Sequence, residues 1–163
     1  MLHLSKSLRA AAALCCVSIA LAGCSLISSG DAKRDESGKP TESSVADVFK
    51  VKIGDCIAQP KGEQFRNVSV IPCDQGHDLE AFATKDLEDS SYPGDSALVT
   101  RSEEYCVAEF ATFVGKAFDE SVLEMMYFHP SRETWSAGDR EIVCLAGGTS
   151  GASITGTLKG AAR

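Results

Sequence analysis

Seven cysteines constrain this chain more than any other feature, and the compartment they reach decides whether they are thiols, thiolates or disulfides. Residues 1–24, MLHLSKSLRAAAALCCVSIALAGC, bear on that question first. Lys6 and Arg9 precede an almost unbroken apolar run from Ala10 to Ala22, the layout of a secretory signal. The run is too short and too lightly flanked for a permanent spanning helix. It ends in Leu21-Ala22-Gly23-Cys24, the bacterial lipobox, in which the cysteine is diacylated and becomes the first residue of the processed chain. The expectation is a signal peptide over 1–23 and a lipid anchor at Cys24. The partner is then the lipid bilayer, and the chain sits on the extracytoplasmic face of the cell membrane. Two acyl chains anchor stably, whereas one gives only marginal binding.

On this reading Cys15 and Cys16 leave with the signal and Cys24 is blocked, so Cys56, Cys73, Cys106 and Cys144 remain. An even number of cysteines in an oxidising space reads as two disulfides. Three pairings are open, and the sequence alone does not choose among them. Cys56–Cys73 with Cys106–Cys144 is favoured because each pair links elements expected to be neighbours. A four-thiolate zinc site needs close C-x2–4-C pairs. The spacings of 17, 33 and 38 residues provide none.

Loss of residues 1–23 removes two cations and no acids, leaving 14 Lys and Arg against 23 Asp and Glu, a formal −9. A nucleic-acid partner needs basic patches, and this balance argues against one. Residues 25–47, SLISSGDAKRDESGKPTESSVAD, are polar and rich in serine and mixed charge. With Cys24 they read as a flexible tether over 24–47, holding the domain about 25 Å from the bilayer. The folded part is then one domain over 48–160.

Within it, the alternation of Phe49, Val51 and Ile53 suggests a strand turning at Gly54-Asp55. Val68 to Ile71 reads as a strand ending at Pro72, and Leu79 to Thr84 as another. Ser96 to Val114 is the one strong helix, with Val99, Cys106, Val107, Phe110, Phe113, Val114 and Ala117 on one arc. Its start lies at Asp95 or at Thr100, and Gly115 stops it. A strand over Ser121–Phe128, a short helix between Pro130 and Gly138, a buried strand over Glu141–Ala146 and a last strand over Ile154–Leu158 complete the reading. This order predicts an α+β fold, a mostly antiparallel sheet packed on one main helix and stabilised by two disulfides.

Several fragments, taken in order, resemble one family. They are Gly54-Asp55-Cys56, Val70-Ile71-Pro72-Cys73 with His77 and Glu80, Tyr92-Pro93-Gly94, Cys106, Trp135 to Arg140 with Cys144, and Gly156 to Gly160. Together they are similar to the septum-formation domain family, found mostly in actinobacterial envelope proteins, many of them lipoproteins or membrane-anchored. The sequence departs at Thr157, where the family more often has serine. The resemblance implies that the four cysteines form two disulfides. It also implies a recurring set of His77, Glu80, Trp135, Asp139 and Arg140, an association with division septation, and no established catalysis.

The stretch Pro72 to Phe82, PCDQGHDLEAF, concentrates a cysteine, an imidazole and three carboxylates. His77 and Glu80, with His129, hold enough ligand types for a metal. The competing reading is structural, with His77 bonded into the turn after Cys73 and Glu80 paired to a cation such as Arg140. Pro93-Gly-Asp-Ser96 resembles the start of some esterases, but no Gly-x-Ser-x-Gly elbow accompanies it. The acid pairs Glu103-Glu104 and Asp86/Glu88/Asp89 sit where a solvated helix face and a loop are expected. Trp135 beside Asp139 and Arg140 is either a surface for sugar or peptide or, as favoured, a core anchor. These readings converge on a non-catalytic interaction module needing no cofactor, with envelope or division proteins as partners. A small-ligand or metal-binding lipoprotein is the alternative.

Overall fold

A computed structural model describes residues 30–62 and 66–163, so the proposed signal peptide and Cys24 lie outside the described residues. Six antiparallel strands form one sheet: β1 (Ser44–Asp47), β2 (Cys56–Ile57), β3 (Asn67–Ile71), β4 (Leu79–Asp86), β5 (Glu124–Phe128) and β6 (Glu141–Gly147). Their spatial order is β1-β3-β2-β4-β6-β5. The main helix α1 (Asp95–Val114) covers one face, and a short helix α2 (Arg132–Ser136) links β5 to β6.

Strand β6, paired on both sides by β4 and β5, reads Glu-Ile-Val-Cys-Leu-Ala-Gly because it is buried on both faces. Ile142, Cys144 and Ala146 face the cluster under α1, with Phe82, Leu98, Phe110 and Trp135. Val143 and Leu145 point the other way, into a second cluster with Ala46, Val48, Val68 and Val70 from the β1/β3 end. Residues of strands at opposite ends of the sheet meet there, because the sheet is curled. Among the described residues no helix is long and apolar enough to cross a membrane.

Both disulfides form, Cys56–Cys73 and Cys106–Cys144. The second ties α1 to β6 and sets the rotation of the helix. The buried line is therefore Leu98, Ser102, Cys106, Phe110 and Val114, spaced by four residues through the linked cysteine. The expected arc is corrected accordingly: Val99 and Val107 are each 39% exposed. The helix starts at Asp95, an acid in the first turn, and ends at Gly115 with φ 84°, where its N–H caps Ala111 O.

The tether over 24–47 is corrected over its described part. Residues 30–47 are folded, with β1 paired to β3 and Asp47 N bonded to Gly30 O. Linker-like composition is outweighed by one long-range ion pair. Arg34 donates from both terminal nitrogens to Asp55, at 2.5 and 2.7 Å, and Asp55 is 1% exposed. Two predicted strands are also corrected. Val48–Lys50 is a 3-10 turn whose start Asp47 caps by accepting from Phe49 N, leaving only Cys56–Ile57 extended. Ile154–Leu158 makes a single bridge to His77, and its polar groups bond to side chains and loops instead.

Candidate functional site

The stretch PCDQGHDLEAF is a corner in which the chain ties itself together. Cys73 is disulfide-bonded to Cys56, and Cys73 O accepts from Gly156 N at 2.6 Å. His77 exchanges both backbone hydrogen bonds with Ile154, at 3.0 and 2.8 Å. Its ring is 1% exposed, and Nδ1 lies 2.9 Å from Gln75 O, which fixes Nδ1 as the protonated nitrogen. Glu80, 3% exposed, accepts from Thr157 Oγ1 at 2.7 Å and from Leu158 N at 2.5 Å. The chain's own contacts occupy this corner, although His77 Nε2 is buried without a partner, and the partner expected for Glu80 is corrected. Glu80 clamps the C-terminal segment and does not pair with Arg140, because a buried backbone N–H needs an acceptor.

This arrangement gives Thr157 a role. The hydroxyl is what Glu80 requires, and serine and threonine both supply it. Glu80→Gln is expected to destabilise the fold by about 2 kcal/mol by replacing a charged acceptor with a neutral amide. Thr157→Ser is expected to change stability by less than about 1 kcal/mol. Urea unfolding of the two variants checks both values, and equal losses would contradict the clamp.

The metal candidates do not come together. Among the described residues the ligand-type atoms that cluster are those of Cys56, Cys73 and Glu80, and both sulfurs are engaged in the disulfide. Neither His77 nor His129 joins them. His129 lies elsewhere, after β5, with Nδ1 3.1 Å from Pro130 O.

Trp135, Asp139 and Arg140 form a second internal lock. Trp135 is 6% exposed and belongs to the core, so its reading as a surface platform is set aside. Arg140 lies over the indole at 3.8 Å and donates to Trp135 O and Asp139 O. Asp139 accepts from Thr134 Oγ1 and from Glu141 N. The short helix is held by a capping box between Ser131 and Thr134. Asp95 opens α1 and accepts from Tyr92 Oη, and Asp89 pairs with Arg101. These contacts give structural roles to Asp95 of the esterase-like stretch and to Asp89 of the loop acids.

Open space lies at the mouth of the curled sheet, a cavity of about 830 Å³. Val48, Phe49, Phe128 and Val143 make it apolar. Tyr127, His129, Glu133 and Glu141 add polar groups. Glu141 stands first on β6, directly opposite Asp86 of β4. Partial burial raises its pKa above the usual carboxylate value, Asp86 and Asp139 raise it further, and a hydrogen bond from Thr84 opposes them.

Sequence reasoning missed three of these residues. Arg34 was hidden in linker-like composition, and Asp55 was noted only as part of Gly54-Asp55-Cys56. Glu141 read as the edge of a buried strand. An isolated acid beside a buried cysteine was the one available signal, since a buried carboxylate demands a partner.

A curled antiparallel sheet stapled to one helix, with its four described cysteines paired and with Glu80 and His77 Nδ1 bonded internally, defines a small disulfide-bonded α+β scaffold with an open mouth. The chain belongs to the septum-formation family, whose pattern matches residues 53–162. It is 24% identical over 116 residues to the protein named "Putative lipoprotein LppN" of Mycobacterium tuberculosis, and equally to the protein of that name in Mycobacterium bovis. Each match covers 68% of this chain and 63% of the relative, less than two thirds of the relative's length. No solved structure matches the chain.

Proposed function

We propose that the chain is a lipid-anchored, extracytoplasmic accessory module in septum formation that works by binding and not by catalysis. The observation that carries this reading is the internal use of the corner from Cys73 to Glu80, which leaves no nucleophile paired with a base there. The family supports the septal role, and the lipobox with the lipoprotein name of the relatives supports the anchor.

On this reading the domain stands close to the membrane. The described residues begin at Gly30, and the six residue steps from Cys24 span at most about 20 Å. Envelope or division proteins within that distance of the bilayer are its proposed partners. Mass analysis of the processed N-terminal peptide tests the anchor. Cys24 is expected to carry acyl chains, and Cys24→Ala is expected to move the protein from the detergent to the aqueous phase. An unmodified Cys24 in membrane-purified protein would overturn it.

The small-ligand alternative also has a physical location, though not at His77 and Glu80. The cavity at the sheet mouth is within the usual size range of small-molecule sites, about 300–1,000 Å³.

A further inference from the structure

We propose that the mouth of the curled sheet binds a primary ammonium group carried on an apolar stem, with Glu141 as the anion that receives it. This rests on the ligand-binding reading of the cavity and adds the chemistry of its occupant. Glu141 and Val143, two residues apart on β6, line the same cavity, so a carboxylate sits beside an apolar wall. Phe49 and Phe128 extend that wall, and Phe49 is 44% exposed. A ligand with a short apolar stem would cover this surface and bring its charged end to the first residue of the strand.

The charges around Glu141 favour a cation. Asp86 faces it from β4, Asp139 lies in the turn before β6, and Glu133 lines the cavity from α2. Asp139 is held by Thr134 and by the Glu141 backbone, so it adds negative charge without being free to rotate towards a ligand. His129, on the chain after β5, turns Nδ1 to Pro130 O. Arg66, before β3, is an exposed cation of the lining, and Arg140 is committed to the Trp135 ring. An ammonium would therefore meet the three carboxylates of the lining, Glu133, Asp139 and Glu141, against one arginine, with Asp86 adding charge from outside the lining, and Glu141 is already partly dehydrated.

The stability of the chain bears on the same residue. Because the folded state raises the Glu141 pKa, the native chain holds that proton more tightly than the unfolded chain. Stability is then lost as pH rises from the unfolded carboxyl value of about 4.3 through the elevated folded value. Glu141→Gln removes this penalty, so its melting temperature is expected to exceed that of the native chain at pH 7. The gain is expected to vanish below about pH 4. A destabilising charge kept at an open cavity is the pattern expected of a binding group.

The test uses the processed chain purified from membranes in non-ionic micelles, with its disulfides intact. Pentylammonium, pentanol and pentanoate share one stem and differ in charge. Each is titrated while the amide resonances of Tyr127, His129, Glu141 and Val143 are followed. Pentylammonium is expected to bind at least about tenfold tighter than pentanol, with pentanoate weakest, as a charge-assisted hydrogen bond implies. Glu141→Gln is expected to abolish that preference while folding at least as stably at pH 7. Equal binding of all three probes would overturn the ammonium assignment and leave the cavity as a general apolar site. A preference that survives Glu141→Gln would overturn the role of Glu141. If no probe moves these resonances, the ligand-binding reading of the cavity fails as well.

Discussion

Arg34→Met is expected to remove about 3–5 kcal/mol of folding stability, the largest loss predicted for a single substitution in this chain. The reason lies at the other end of the pair. Asp55 is 1% exposed and accepts from both Arg34 nitrogens and from Lys52 N at 2.8 Å. Without the guanidinium, a buried carboxylate loses its main counterion, which is costlier than never having buried a pair. Arg34→Lys retains charge but not the two-pronged geometry, so an intermediate loss is expected. Arg34→Met with Asp55→Asn is expected to recover part of the difference, since the uncompensated charge is gone. The hydrogen bond to Asp55 raises the Arg34 pKa. Stability from that raised value is fully present below the unfolded arginine range and is lost only in strongly alkaline solution. Urea unfolding at pH 7 reads the effect, and a loss below about 1 kcal/mol would place the pair with ordinary surface ion pairs.

Replacing Cys106 and Cys144 together by alanine is expected to cost about 4 kcal/mol, against about 3 kcal/mol for Cys56 and Cys73. The order follows from the loops closed, with sequence separations of 38 and 17. Domains of this size hold only about 5–15 kcal/mol in total, so either loss is a large fraction. Burial makes a second distinction. Cys106 and Cys144 are 0% exposed, whereas Cys73 is partly exposed, so mild reductant is expected to open Cys56–Cys73 first. Mass mapping of partly reduced, alkylated protein checks this order. Melts of the two double variants check the stabilities, and a larger loss for Cys56–Cys73 would contradict the loop argument.

The elements read most readily from sequence were those whose periodicity and burial agree. The alternation of β3, the apolar run of β6 and the 20-residue length of α1 are local signals that packing reinforces. The rotation of α1 was less legible because Val99 and Val107 fit an apolar arc as well as Leu98 does. The Cys106–Cys144 link, not the arc, decides which line faces the sheet. β1 was missed because Ser44 to Asp47 has little apolar character, and its place depends on pairing with β3 and on Arg34 reaching Asp55.

At the candidate site, the sequence located the corner but not its partners. The link from Glu80 to Leu158 spans 78 residues, and no local pattern announces it. The pairing of Glu80 with Arg140 was a sound electrostatic expectation. It lost to the need of a buried N–H for an acceptor and to the indole of Trp135 as the place for the guanidinium. His77 and His129 could be picked out in the sequence, but their separation could be seen only in the fold. Once they are apart, the open cavity beside β6 offers a different lining for a ligand.

The claim that this chain serves septation as an anchored binding module is tested most directly by imaging the tagged full chain in dividing cells. The Cys24→Ala variant is imaged beside it at matched expression. The account predicts enrichment of the native chain at the forming septum and loss of that enrichment when the anchor is removed. Uniform envelope staining of the native chain through division, at normal abundance, would contradict it.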